Sequence, residues 1–319
     1  MYVPACPARV VISMRRLPHA LLMLVCALVY SSVALHFTAC SKAPATLTSS
    51  GTVNLRPIAL LTDYGISDPY LPQLKGSILT INPNVNLVDL THSVTPFQPR
   101  EASFILNLAA QEFPANTIFV VVVDPGVGTS RLPILLKTEA GKYYFGPNNG
   151  IFTRLINREG FAKAWKLQNP KYFREQNVSA TFHGRDIFGP CAAHLAAGVE
   201  PDQFGPSISR NAIVSLGTHP PAATGQSITA EVLHVDHYGN VITNIPRDFS
   251  PSLQEGVMLR ILINNVMHTP IMVRTYDELT QGKMGVLYGS NNLLEICVNR
   301  GSAADLLKLK VGDTLVIRP

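Results

Sequence analysis

Thr117-Ile118-Phe119-Val120-Val121-Val122-Val123, broken at once by Asp124-Pro125-Gly126, is an intense run of β-branched and apolar residues. Branched side chains are stiff at χ1, crowd a helix and lie well on a pleated sheet. No polar residue alternates with the apolar ones, so the run predicts a strand covered on both faces, as in parallel sheets. The flanking sequence agrees. Ile58-Ala59-Leu60-Leu61-Thr62 reads as a second buried strand, ending in Asp63-Tyr64-Gly65. Leu71 to Ile81 has helical spacing, Val85 to Leu90 is strand-like, and Phe104, Ile105, Leu108 and Ala109 recur at helical period before Pro114. Strands alternating with helices predict an α/β domain over 57–216 with a central, mostly parallel sheet. Ligands of such sheets gather at the carboxyl ends of the strands, where Asp63 and Asp124 stand.

Beyond this domain the pattern changes. Residues 217–226, with Pro220-Pro221 and Gly225, have the composition of a linker. After them come short β-rich runs separated by turn signals, among them Ile228 to Val235, Met284 to Tyr288 and Thr314 to Ile317, which predict a smaller all-β, barrel-like domain over 227–319. At the other end, Met14-Arg15-Arg16, the apolar run Leu21 to Leu35 and Phe37-Thr38-Ala39-Cys40 have the layout of a secretory signal over 1–40 with a lipobox at Cys40. A single membrane anchor is the alternative. Residues 41–56 then read as a tether. The expectation is an exported protein held on the periplasmic side through a lipidated Cys40, or a cytoplasmic one if the leader is silent. Charged residues make up only 15% of the chain and its net charge of +5 is scattered, which argues against a nucleic-acid partner. Outside the leader only Cys191 and Cys297 remain, both in apolar settings, and their spacing suits neither a metal nor a disulfide framework.

Four stretches could carry chemistry. Asp63, followed by Tyr64-Gly65-Ile66-Ser67-Asp68, could accept hydrogen bonds from a ribose diol, or cap its turn. Asp124-Pro125-Gly126-Val127-Gly128-Thr129-Ser130-Arg131 sets an acid and a base around two glycines that let backbone approach a ligand, or forms a surface ion pair. Thr181-Phe182-His183-Gly184-Arg185-Asp186 places a histidine, the side chain most easily tuned near neutral pH, just before a predicted helix over 187–197. Asp236-His237-Tyr238-Gly239-Asn240 packs polar groups between two β runs, as a hairpin turn also would. Gly146-Pro147-Asn148-Asn149-Gly150 reads as a turn.

Together, and in this order, these stretches resemble the S-adenosylmethionine hydroxide adenosyltransferase family, relatives of the fluorinase and chlorinase that use S-adenosylmethionine (SAM). Thr91-His92-Ser93-Val94-Thr95-Pro96-Phe97, Phe145 to Gly150 and Leu294-Glu295-Ile296 match as well, so the similarity runs from Pro57 to about Ile317. The resemblance implies an α/β domain followed by a β-barrel-like one, assembled as a homotrimer with sites between the first domain of one subunit and the second of its neighbour. It implies hydrolysis of SAM, as substrate and not cofactor, to adenosine and methionine without a metal. It puts an Asp–Arg–His set that handles the attacking water on Asp124, Arg131 and His183. It further implies that Asp63 holds the ribose hydroxyls, that Asp68, Asp236 and Ser290 contact the methionine end, and that Phe97 and Phe182 wall the reacting centre. Asn240 would bind adenine and Tyr276 stack on it. Halogenases carry Tyr at the position of Asp124 and Ser at that of Gly184, so the chain sides with the hydroxide users. Where the family often has Asn-Ser-x-Gly, this chain has Gly289-Ser290-Asn291-Asn292. The alternatives are a halide adenosyltransferase and a SAM- or nucleoside-binding lipoprotein without turnover.

Overall fold

A computed structural model describes residues 56–319 except Gln176 and Thr218. The signal and lipobox expected over 1–40, and the tether as far as residue 55, lie outside the described residues. Among the described residues no helix is long and apolar enough to cross a membrane.

The first half is a seven-stranded sheet built from β1 (Ile58–Thr62), β2 (Leu87–Thr91), β3 (Ile118–Val122), β4 (Pro133–Lys137), β5 (Tyr143–Pro147), β6 (Lys163–Lys166) and β7 (Ser207–Ile208), in the order β2-β1-β3-β5-β4-β6-β7. The pairs β2-β1, β1-β3 and β3-β5 are parallel, and the pairs β5-β4, β4-β6 and β6-β7 are antiparallel. Helices α1 (Tyr70–Ile81), α2 (Pro99–Ala109), α3 (Thr153–Glu159) and α4 (Gly189–Ala196) cover it. β1 and β3 are buried at every residue, and their alternation divides the core in two. Ile58, Leu60, Val120 and Val122 pack with Leu74 and Ile78 of α1 and with Cys191 and Leu195 of α4. Ala59, Leu61, Phe119 and Val121 pack with Ala102 and Leu106 of α2 and with Leu155 and Ile156 of α3. The unbroken apolar run of β3 follows from this sandwich, since neither face meets water.

The order β2-β1-β3 fixes where a ligand can sit. The chain leaves β1 for the sheet edge through α1, then returns across β1 to β3 through α2 on the opposite face. The strand order therefore reverses between β1 and β3, and a crevice opens there beyond their carboxyl ends. Asp63 and Asp124 are the residues at those two ends. The sequence signals for β5 misplace one boundary: Gly146 and Pro147, read as part of a turn, close β5, and the turn follows them. Within that turn the Asn149 side-chain amide donates to the Val123 carbonyl at 2.9 Å and holds the end of β3.

The second half is a nine-stranded sheet of β8 (Ala222–Thr224), β9 (Ser227–Val235), β10 (Val241–Pro246), β11 (Arg260–Ile263), β12 (Val266–His268), β13 (Ile271–Met272), β14 (Met284–Tyr288), β15 (Leu293–Val298) and β16 (Thr314–Arg318). β8 lies within the stretch read as a linker. β9 makes the sheet curl: its first part pairs with β16 and its last part with β10, so one strand serves both wings. A short helix, α5 (Ala303–Leu307), packs on this second core.

The halves meet through α2 and β9. Phe104 packs with Leu233 and Ile242. The Glu101 carboxylate, 5% exposed, accepts the Thr95 backbone N–H at 3.0 Å and lies 3.1 Å from His234 Nδ1. One acid thus ties the loop that carries Phe97 to the strand that leads to Asp236. Its carboxyl is held below the usual value by these partners against the opposing pull of burial, the largest single influence on it. Replacing Glu101 by alanine strands a partly buried N–H, so Glu101→Ala is expected to cost about 1–3 kcal/mol. A lower urea midpoint at unchanged slope would register that loss.

Candidate active site

The crevice at the reversal point is a cavity of about 420 Å³. Asp63, Asp68, Phe97, Asp124, Phe182 and His183 line it, together with Tyr64, Tyr70 and Gly184. Sequence reasoning named the first six, and the structure brings them together from β1, from the loop before α2, from β3, and from the segment before α4.

Arg131 is the group around which the acid and the imidazole are arranged. Its Nε donates to Asp124 Oδ1 at 3.0 Å and its Nη2 donates to Asp124 Oδ2, a bidentate pair. The same Nη2 lies 2.8 Å from His183 Nδ1. The side chains of Asp124 and Arg131 are only 4% and 9% exposed, so this pair is screened little by solvent. Arg131 Nη1 is buried and makes no hydrogen bond with the described residues, a donor inside the protein with capacity to spare.

The contact determines the state of His183. A guanidinium has no lone pair to offer, so Nδ1 must accept, and the neutral ring carries its hydrogen on Nε2. Burial pushes the His183 pKa down, and the adjacent Arg131 charge pushes the same way, while Asp124 and Asp186 oppose them. The imidazole is therefore neutral at neutral pH. Burial also raises the Asp63 carboxyl, against the hydrogen bond that the Phe97 N–H gives Asp63 Oδ2 at 3.0 Å.

Local backbone features make this convergence possible. Gly128, at φ +77°, lies so close to the Ala180 carbonyl that a Cβ there would collide with it. Glycine thus lets the loop after β3 rest on the segment that presents His183. The sequence predicts a regular helix from Ile187. The structure instead has a π-helical turn over Gly184–Phe188 and then α4 from Gly189. Such wide turns are uncommon and concentrate at functional sites. Phe97 has φ +66° and is 69% exposed. A bulky residue in the left-handed region is held there only by its surroundings, here the Asp63 hydrogen bond.

The remaining predicted residues lie elsewhere. Asp236, Asn240 and Tyr276 line a second cavity of about 520 Å³, with Tyr238 and Arg300. Ser290 lines a third, between α2 and the second sheet, which Asp236 and Tyr276 also border. Asp236 is the hub of the β9–β10 turn: Oδ1 accepts the Tyr238 and Asn240 N–H groups at 2.9 and 2.8 Å, and Oδ2 accepts the Asn240 side-chain amide at 2.9 Å. Within one chain no residue lines both this cavity and the one at Asp124.

Three residues beside these groups escaped the sequence reading. Glu295, raised in pKa by burial and by Asp236 although its Tyr276 hydrogen bond opposes them, accepts the Tyr276 hydroxyl. Tyr64 and Tyr70 form a three-ring cluster with Phe182. Glu295 and Tyr64 fall within stretches that the sequence singles out, Leu294-Glu295-Ile296 and the one that begins at Asp63, but no local pattern assigns any of the three a role.

An α/β domain with acids at its reversal point, joined to a curled β domain with its own aromatic-rimmed cavity, defines a two-domain class of protein with one cavity in each half. The comparisons with known proteins give that class its family. Residues 58–205 match the SAM hydroxide adenosyltransferase N-terminal domain, and residues 230–316 match the C-terminal domain of the same family. The chain belongs to this family. It is 34% identical over 265 residues to the (R)-S-adenosyl-L-methionine hydrolase of Thermus thermophilus, covering 81% of this chain and 98% of that one. The protein of the same name from Salinispora arenicola is 36% identical, over 81% and 96% of the two chains. A fluorinase of an Actinoplanes species is more distant, at 29% identity over 82% and 96%. A solved structure of an uncharacterized conserved protein from Thermotoga maritima superposes with a TM-score of 0.78 at 37% identity, over 82% of this chain and all of that one.

The arrangement generates one test before any substrate is considered. Asp124→Ala leaves a nearly buried guanidinium without its counter-charge, at a cost of about 3–5 kcal/mol. It also removes the charge that opposes Arg131, so His183 is expected to titrate lower still. Histidine proton shifts followed by NMR across pH report that displacement directly.

Proposed function

We infer that this chain hydrolyses SAM to adenosine and methionine by attack of water on the 5′ carbon of the adenosyl group. The observation that carries the reading is the buried Asp124–Arg131–His183 set at the strand-order reversal, in a chain whose curated relatives include proteins named for this reaction.

The chemistry asks for these groups. The sulfonium leaves as a neutral thioether, so no acid is needed to protonate it. Water is a weak nucleophile, and the work of the site is to hold one molecule in line with the C5′–S bond and to accommodate the proton it loses. Arg131 Nη1 can donate to that oxygen and stabilise the hydroxide character it takes on as its proton is drawn away. The proton goes to neutral His183: as the C5′–O bond forms and the C5′–S pair leaves with methionine, His183 Nδ1 exchanges its hydrogen bond from Arg131 Nη2 for the water's proton, and the imidazolium, unfavourable beside Arg131, then returns a proton to solvent. Asp124 keeps the guanidinium aligned through both contacts. A neutral nucleophile meeting a cation disperses charge in the transition state, so a closed, dry cavity favours it. Asp63 accepts from the ribose diol with the lone pairs that Phe97 leaves free. Two carboxylates at the cavity wall disfavour a halide as the nucleophile. No cofactor or metal enters this scheme.

We place the complete site between subunits. Two cavities in one chain share no lining residue, and each is lined by exposed aromatic side chains: Tyr70 and Phe97 at the first, Tyr238 and Tyr276 at the second. Unlike surfaces that complement one another make a heterologous contact, which closes as a ring. A homotrimer is the reading that the family resemblance favours, with Asp68 and Phe182 of one subunit facing Asp236, Asn240, Tyr276 and Ser290 of the next. The leader would export the protein and anchor it through a lipidated Cys40. Cys40→Ser should then move it from the membrane to the soluble fraction.

Incubation of residues 41–319 with SAM, followed by chromatography, should yield adenosine and methionine in equal amounts. SAM bound tightly with no adenosine released would support the non-catalytic alternative instead. Arg131→Ala and His183→Ala should lower kcat by about 100-fold or more and change KM little. Because turnover needs neutral His183 and its pKa lies below the ordinary 6.5, the rate should hold as pH falls through 6.5 and decline only further down. Mixing an Asp124→Asn variant with an Asn240→Ala variant should restore activity, because some interfaces then pair two intact halves. No recovery on mixing would place the whole site within one subunit.

A further inference from the structure

We propose that Tyr64 is the residue that restricts this site to water, by filling with its phenol the volume beside Gly184 that a side chain there would need. The inference rests on the hydrolase reading and concerns what the same cavity refuses.

The observation is steric. A Cβ built on Gly184 collides with the Tyr64 hydroxyl, lies 3.3 Å from Tyr64 Cζ and sits 3.6 Å from Phe182 Cε2. Retreat is restricted on both sides. The Tyr64 ring is edge-on to Tyr70 at 6.2 Å and to Phe182 at 5.6 Å, and those two rings meet at 5.5 Å, so it is clamped on two sides. Its backbone is held as well: the Tyr64 N–H donates to Thr62 Oγ1 at 3.2 Å, and Thr62 Oγ1 lies 2.9 Å from Nδ1 of the buried His92. Opposite it, the Gly184 carbonyl receives the Gly189 N–H that closes the π-helical turn, which fixes the backbone at 184. Positions 64 and 184 therefore cannot vary independently.

The chemistry follows from which group occupies the space. His183, next to Gly184, lines the cavity with Tyr64 and Asp124. An anionic nucleophile needs room and hydrogen-bond donors that are not already satisfied by acids. Here the hydroxyl beside residue 184 comes from Tyr64, which has Asp63 and Asp124 near it and is held protonated by burial and by those two charges. Of the cations close by, Arg131 is already neutralised by Asp124 and Arg185 by Asp186. Chloride, larger than water, would find neither the recess nor an unneutralised cation. Water is small and neutral, and its own hydrogens can satisfy the carboxylates.

Two sets of variants test this. For steric coupling, Gly184→Ala should lower the thermal midpoint and cut adenosine release about tenfold or more. The same change in a Tyr64→Phe background, where the colliding oxygen is gone, should be tolerated much better, a coupling a double-mutant cycle reads directly. For specificity, Tyr64→Leu, alone and with Gly184→Ser, opens the recess. Replacing gluconate by chloride at constant ionic strength should leave wild-type turnover unchanged. In the opened variants it should suppress adenosine release or divert it to 5′-chloro-5′-deoxyadenosine. In that diversion chloride forms the C5′–Cl bond, the C5′–S bond breaks, and methionine leaves with the bonding pair. Equal damage by Gly184→Ala in both backgrounds, or opened variants as indifferent to chloride as the wild type, would overturn the proposal. Wild-type protein that releases no adenosine from SAM would sink the hydrolase reading instead, so the two failures are distinct.

Discussion

A guanidinium almost wholly withdrawn from water is the constraint on which the site depends. Arg131 could not be placed there alone, because an unpaired buried ion costs several kcal/mol. Asp124 supplies the counter-charge with both oxygens, and His183 takes a further donor hydrogen. Each partner comes from a different place: the end of β3, the loop that follows it, and the residue that opens the π-helical turn. The requirement to satisfy one cation therefore dictates that these segments meet. It explains the glycine at 128, which lets backbone lie on backbone, and it explains why His183 has a defined tautomer and a depressed pKa. Structure and reactivity share a cause here: the burial that obliges Arg131 to be paired is also the chief influence that keeps the imidazole neutral, with the Arg131 charge adding to it and Asp124 opposing.

Much of this was legible in the sequence because it is written in local period and composition. The Val120 to Val123 run could only be a strand buried on both faces, and acids directly after two such strands are conspicuous. The aromatic and acidic partners were not legible. Tyr64 and Tyr70 lie on the stretch after β1 and Phe182 on a distant one, and nothing in the spacing of a tyrosine in a loop tells which ring it will meet. Glu101 and His234 are separated by 133 positions, and each reads locally as an ordinary polar residue. The antiparallel half of the first sheet was obscure for a related reason. β4 and β6 are short and end in lysines, and their register is set by cross-strand partners rather than by their own pattern. Local sequence reports periodicity; it reports long-range pairing only where a composition is extreme.

Glu101 has a consequence at the scale of the whole molecule. It holds the loop of Phe97 through Thr95 and, in the same carboxylate, the strand that ends at Asp236. Phe97 in turn is fixed by Asp63 in a backbone conformation it would not adopt unaided. The rim of the first cavity and the turn beneath the second are thus registered to one another through a single acid, although the cavities are separate. In the ring proposed for the assembled protein, each subunit would present one rim to each neighbour. A shift of either half relative to the other would then be felt at two interfaces at once, and a rigid connection between the halves is what such an assembly requires.

The protonation states around the first cavity fit a reaction that starts from a cation and a neutral molecule. Burial and two nearby carboxylates keep Tyr64 as a neutral phenol, and burial with Arg131 keeps His183 as a neutral imidazole. Asp124 is matched by Arg131, and burial makes Asp63 harder to ionise than a free aspartate. Because Arg131 cancels the charge of Asp124, the carboxylate nearest His183 does not hold the sulfonium ground state so tightly that the barrier rises. What distinguishes the transition state is positive charge leaving sulfur while the attacking oxygen, its proton drawn toward His183, takes on hydroxide character. The buried Arg131 Nη1, with no acceptor among the described residues, is a donor that such an oxygen, and not a neutral water, would engage at full strength.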